Sequence, residues 1–121
     1  METTVRWVNG TAVLTFPREV DVSTADGMRE QLLSALNKGA STLVIDMSQT
    51  TFCDSSGLNA VIRAHHRATA SGAQVRVVIG SPAVRRVFEI TKLDHTVAIH
   101  ASLDEALGGA PITPPESGSA A

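Results

Sequence analysis

Apolar and polar residues alternate from Thr4 to Val8, stop at Asn9-Gly10, and alternate again from Thr11 to Phe16. Period two on both sides of Asn-Gly predicts a β-hairpin. Residues 17–22 read as a loop. Ser23-Thr24-Ala25-Asp26 has capping-box spacing, with Asp26 as a shorter stand-in for the usual Glu or Gln. Ala25, Met28, Leu32, Ala35 and Leu36 then form one stripe up to Gly39, predicting a helix from Thr24 to Lys38. Leu43-Val44-Ile45-Asp46-Met47 is a short apolar run of the kind an interior strand shows. Leu58, Val61, Ile62 and His65 return to helical spacing and stop at Gly72, with Asp54 and Ser55 as cap residues, so residues 55–71 are a second helix. Val75, Val77 and Ile79 alternate in a further strand. Ser81-Pro82 is an N-cap followed by proline at N1, opening a short helix with Val84, Val87 and Phe88 inward. Val97-Ala98-Ile99 is the last strand, and Ser102 with Glu105 is a capping box for a final helix ending at Gly108-Gly109.

The order is ββαβαβαβα. Strands separated by helices run parallel through right-handed crossovers, so the fold class is α/β: a mixed five-stranded sheet, hairpin first, with helices mainly on one face. Leu14, Phe16, Leu43, Ile45, Val75, Val77 and Ile79 make one apolar face. Thr15, Asp46 and Arg76 mark the other, which is expected to be only partly covered. Residues 1–109 are expected to be one domain. From Ala110 to Ala121 Pro, Ser, Gly and Ala dominate without an apolar face, which predicts a disordered tail.

Composition narrows the function. A chain of 121 residues supports one core. A net charge of −2 gives no electrostatic footprint for nucleic acid or an anionic membrane surface. The single cysteine, Cys53, cannot form an internal disulfide and fits a reducing compartment. No apolar run has signal-peptide or membrane-span length, so a soluble cytoplasmic protein is the expectation.

Functional groups of a parallel sheet gather at the carboxyl ends of its strands. Four junctions meet there: Asp21 to Thr24, Asp54 to Gly57, Gly80-Ser81, and His100 to Ser102. Asp21, Asp54, Ser55, Ser56 and Ser81 are therefore expected to be neighbours. Such residues also serve simply as helix caps. A serine in the first turn of a helix nevertheless offers an exposed hydroxyl beside free backbone N–H groups, a place where phosphate is accepted or bound. Spacing does not choose between Ser55 and Ser56.

Phe52-Cys53-Asp54-Ser55-Ser56-Gly57-Leu58 resembles the phosphorylation-site signature of STAS-domain anti-sigma factor antagonists. Glu19-Val20-Asp21 followed by Thr24-Ala25 resembles that family's acidic loop, and Ser81 to Phe88 its third helix. The likeness covers roughly residues 4–108. Cys53 stands where a larger apolar residue is common, and Pro17-Arg18 where a glycine is. The resemblance implies a STAS-like fold and a partner-switching role. The unmodified protein would bind an anti-sigma factor that is also a serine kinase, freeing the sigma factor. Phosphorylation of Ser56, the second serine of the pattern, would release that partner, and a phosphatase would restore it. Asp21, Asp54, Ser55, Gly57, Leu58 and Ser81 would support the site or the partner interface. The protein would be substrate and ligand rather than enzyme, without cofactor or metal.

Three other readings compete with this one. A serine hydrolase needs a base at the nucleophile; His100 lies at the right edge, but Asp-Ser-Ser-Gly is not the G-x-S-x-G elbow. A receiver domain needs an acidic pair after its first strand and a lysine after its last, where Asn9-Gly10 and His100 stand. A STAS module could also scaffold or sense a nucleotide without phosphorylation. No metal site is expected: His65 and His66 lie about 100° apart on a helix, and His95 and His100 are isolated. His65 reads as a core-edge residue, His66 as exposed, and Cys53 as a small buried hydrophobe.

Overall fold

The computed structural model describes residues 4–108; the tail expected from Ala110 lies outside them. Asn9 and Gly10 take φ values of 50° and 85°, the pair of left-handed residues that a two-residue hairpin turn requires. They join β1 (Thr4–Val8) to β2 (Thr11–Thr15) with Val8 opposite Thr11. The chain continues through β3 (Glu19–Val20), α1 (Val22–Asn37), β4 (Thr42–Met47), β5 (Phe52–Cys53), α2 (Ser55–Ala70), β6 (Gln74–Ile79) and α3 (Pro82–Ile90). A 3-10 turn at Leu93–His95, β7 (Ala98–His100) and α4 (Leu103–Gly108) complete it.

The main sheet has the order β1-β2-β4-β6-β7; β1 is antiparallel to β2 and every later pairing is parallel. The α/β fold and the sequential strand order agree with the expectation. They also set the protein apart from receiver domains, whose first strand lies inside the sheet.

The two faces divide as the alternation implied. Leu14, Leu43, Ile45, Val77 and Ile99 join Met28 and Leu32 of α1, Val61 and Ala64 of α2, and Phe88 of α3 in one core. Val13, Val44 and Val78 face the other way and are covered by Ala106 and Leu103 of α4. Arg76 also lies on this second side, and its Nη1 donates to the Ala106 carbonyl at 2.9 Å, tying the short helix down.

Five elements differ from the sequence expectation. The loop at 17–22 contains β3, which pairs in parallel with β5 as a separate two-stranded ribbon, Glu19 opposite Phe52 and Val20 opposite Cys53. The ribbon is held from the loops: the buried Thr50 hydroxyl donates to the Pro17 carbonyl at 2.7 Å and the Thr51 N–H to the Arg18 carbonyl at 2.8 Å. Helix α1 starts at Val22, capped by Asp21 in a capping box with Thr24, instead of by Ser23 with Asp26. The ribbon ends at Val20, so the chain turns one residue later and Asp21 is the side chain at hand. The last strand is shifted to Ala98–His100, and the 3-10 turn before it carries no strong periodicity.

Candidate functional site

The β3–β5 ribbon brings two helix starts side by side. Val20 and Cys53 are register partners, and the Asp54 N–H donates to the Val20 carbonyl at 3.1 Å. The next residue on each strand is an aspartate that caps a helix: Asp21 for α1, Asp54 for α2.

Asp21 Oδ1 accepts from the Ser23 hydroxyl at 2.6 Å and the Ser23 N–H at 2.9 Å. These bonds favour the carboxylate and hold the Asp21 pKa below its ordinary value. Asp54 Oδ1 accepts from the Ser56 hydroxyl at 2.8 Å, the Ser56 N–H at 2.9 Å and the Gly57 N–H at 3.3 Å. Ser55 is exposed and Ser56 half-buried.

Gly57 and Leu58 are buried and act from beneath. A Cβ on Gly57 would stand 2.6 Å from both Cys53 Sγ and Val20 Cγ1, so only glycine lets the first turn of α2 lie on the ribbon. Leu58 anchors that turn in the core. Cys53 is buried as expected, its thiol pushed up to about 11 by burial and by the neighbouring Asp54.

Ser81 caps α3, accepting from the Val84 N–H at 3.4 Å, and α3 packs against β5 of the ribbon. His100 does not join the cluster. It sits opposite Val78 on the face under α4, fully buried, with neither ring nitrogen hydrogen-bonded. Burial, then Arg76, lower its pKa, against a smaller opposing pull from Glu105. A base on the far side of the sheet cannot serve Ser55 or Ser56, which removes the hydrolase reading. His65 is half-buried and His66 exposed, as read from the helix stripe. Among the described residues no group of His, Cys, Asp and Glu could hold a metal ion.

Two features were not singled out in the sequence. Val22 and Phe52 are 76% and 51% exposed and flank the two capping aspartates. Phe52 is the ribbon residue opposite Glu19 and Val22 the first residue of α1, so their place beside the aspartates is visible only once the ribbon is known. A groove of about 170 Å³ also runs between α1 and α2 from Ser56 to Arg29 and Arg63.

A mixed α/β sheet opened by a hairpin and running in sequential order, with a serine held at the start of its second long helix, is distinct from the receiver arrangement. The chain belongs to the STAS domain family, whose profile matches residues 3–106. RsfB of Mycobacterium tuberculosis, an anti-sigma-F factor antagonist, is 31% identical over 101 residues, covering 84% of this chain and 82% of the relative. The crystal structure of an anti-sigma factor antagonist from Mycobacterium paratuberculosis superposes with a TM-score of 0.80 at 29% identity, covering 88% of this chain and 90% of that one. The anti-sigma factor antagonist SpoIIAA in its unphosphorylated form gives a TM-score of 0.76 at 25% identity, covering 88% and 93%. Among the described residues no helix is long and apolar enough to cross a membrane.

Proposed function

We propose that this protein is an anti-sigma factor antagonist whose partner is a serine-kinase anti-sigma factor, and that phosphorylation of Ser56 switches their association off. The observation that carries the reading is the half-buried Ser56 hydroxyl, donated to Asp54 Oδ1 at the start of α2. The antagonist role of its relatives supports the partner class.

The partner would bind across the two helix starts, where Val22 and Phe52 offer exposed apolar area beside Asp21 and Asp54. In the switching step the Ser56 oxygen attacks the γ-phosphorus of ATP, ADP leaves, and the hydroxyl proton passes to a base on the kinase. The product carries about −1.5 to −2 charge. At a helix N-terminus this charge meets a dipole worth about 0.3–1 kcal/mol, so the fold tolerates it. A desolvated partner surface does not, and the acidic pair adds repulsion. A phosphatase would return the serine. The protein acts as ligand and substrate, without catalysis of its own, in the cytoplasm where sigma factors work.

The test uses the anti-sigma factor captured by pull-down from an extract of the source cells, incubated with ATP and each variant. Wild type should gain one phosphate on the Ser56 peptide and dissociate. Ser56→Ala should bind and stay bound, Ser56→Asp should fold but bind weakly, and Ser55→Ala should still be modified. Phosphate on Ser55 would overturn the residue assignment. A stable complex with no phosphate would instead favour a STAS module that scaffolds or senses a nucleotide.

A further inference from the structure

The α1–α2 groove gathers cations next to Ser56. Arg29 and Arg63 line it together with Asn59 and Asp26, and both arginines continue into a second, wider depression with His66 and Arg67. This concentration of positive charge is at odds with the chain's net charge of −2.

Ser56 and Arg63 stand seven residues apart on one helix. That spacing is roughly 10 Å along the axis and returns to within about 20° of the same direction. Side chains on a helix lean toward its N-terminus, so the long Arg63 side chain leans toward Ser56, while a phosphate on Ser56 has to turn back along the helix to meet it. Arg63 is exposed and makes no hydrogen bond or ion pair among the described residues. Arg29 has one loose ion pair, 3.8 Å from the exposed Asp26.

Asp54 decides the direction in which a phosphate on Ser56 would turn. The unmodified hydroxyl gives its proton to Asp54 Oδ1. A phosphate ester has no proton at that oxygen, and Asp54 keeps its two backbone donors at Ser56 and Gly57. The two anions repel, and the arginine-lined groove offers the phosphate a place away from Asp54.

We propose that phosphate on Ser56 folds back into the α1–α2 groove and is held by Arg63 and Arg29, with Arg29 exchanging Asp26 for the phosphate. The inference rests on the reading of Ser56 as the modified residue. Two arginines suit a phosphate because each offers paired N–H donors. The modified form is then a latched state, with α1 and α2 bridged through the phosphate.

The test places phosphoserine at position 56 by translational incorporation, so no kinase is involved, and follows the phosphate by 31P NMR against pH. In the wild-type sequence the second phosphate pKa should fall about one unit or more below its usual value of about 6. Arg63→Ala and Arg29→Ala should each return it toward the usual value, and Arg63→Lys should return it only partly. The melting temperature of unphosphorylated Arg63→Ala should match that of wild type, while the phosphorylated form loses the gain the wild type shows. Phosphoserine at position 55 should titrate normally. An ordinary pKa at position 56, or a lowered one that both arginine variants leave unchanged, overturns the latch. Because the phosphate is installed without a kinase, that failure leaves the Ser56 assignment to the kinase assay. A kinase assay that leaves Ser56 unmodified overturns the assignment and not the geometry of the groove.

Discussion

Asp54 Oδ1 takes the Ser56 hydroxyl at 2.8 Å while also accepting the backbone N–H groups of Ser56 and Gly57. One oxygen thus caps α2 and orients the hydroxyl, so the stability of the helix start and the state of the serine are coupled through a single atom.

Replacing Asp54 separates these roles. Asp54→Ala removes the cap and should lower stability by about 0.5–2 kcal/mol, whereas Asp54→Asn keeps an equally good cap and should stay near wild type. Urea unfolding measures both. Equal midpoints for Asp54→Ala and wild type would show that the cap contributes nothing.

Gly57 is required by contact. In Gly57→Ala the new methyl meets Cys53 Sγ and Val20 Cγ1 at 2.6 Å, an overpacking expected to cost about 1–3 kcal/mol. Adding Cys53→Ala removes one of the two obstacles, so the double variant should recover part of the loss. A double-mutant cycle with no coupling would place the strain elsewhere.

His100 should make stability fall in mild acid. Burial holds its folded-state pKa below 6.5, so the unfolded chain binds the proton more readily than the folded one. Its contribution is complete above the unfolded pKa and is lost as pH falls below that value toward the folded pKa, with a slope of at most about 1.4 kcal/mol per pH unit. His65, also lowered by burial and by His66, acts in the same direction, so His65→Gln serves as a control. Denaturant unfolding between pH 8 and pH 5 should show a shallower decline for His100→Leu than for wild type. At pH 8 that variant should be close to wild type, because the ring nitrogens it removes have no partners. Parallel stability curves for the two proteins would contradict the assignment.

Cys53 should be chemically silent in the folded protein. With its pKa raised to about 11 and its side chain buried, little thiolate is present or reachable near neutral pH. Iodoacetamide at pH 8 should alkylate it at the rate of global unfolding and rapidly in urea. Fast modification of the native protein would indicate that the ribbon opens locally.

Much of the fold was written in short-range chemistry. Asn9-Gly10 accepts two left-handed residues, Ser81-Pro82 supplies a cap and a preset φ, and the alternation in Leu43–Met47 and Val75–Ile79 assigns both sheet faces. Each depends on residues a few positions apart, so it survives reading in one dimension. The Asp54-Ser55-Ser56-Gly57-Leu58 pattern likewise marked the helix start at which a site was sought. The ribbon was not legible, because two-residue strands are too short to carry a period. With it went the choice of Asp21 as cap, the pairing of the two aspartates, and the reason Gly57 admits no side chain: all depend on β3 meeting β5 across more than thirty intervening residues. His100 stood at the expected strand end, but only the packing of α4 decided which face its ring occupies. The meeting of Arg29 with Arg63 is tertiary in the same sense, since each is an ordinary helix-surface arginine until burial of the apolar stripes sets α1 beside α2.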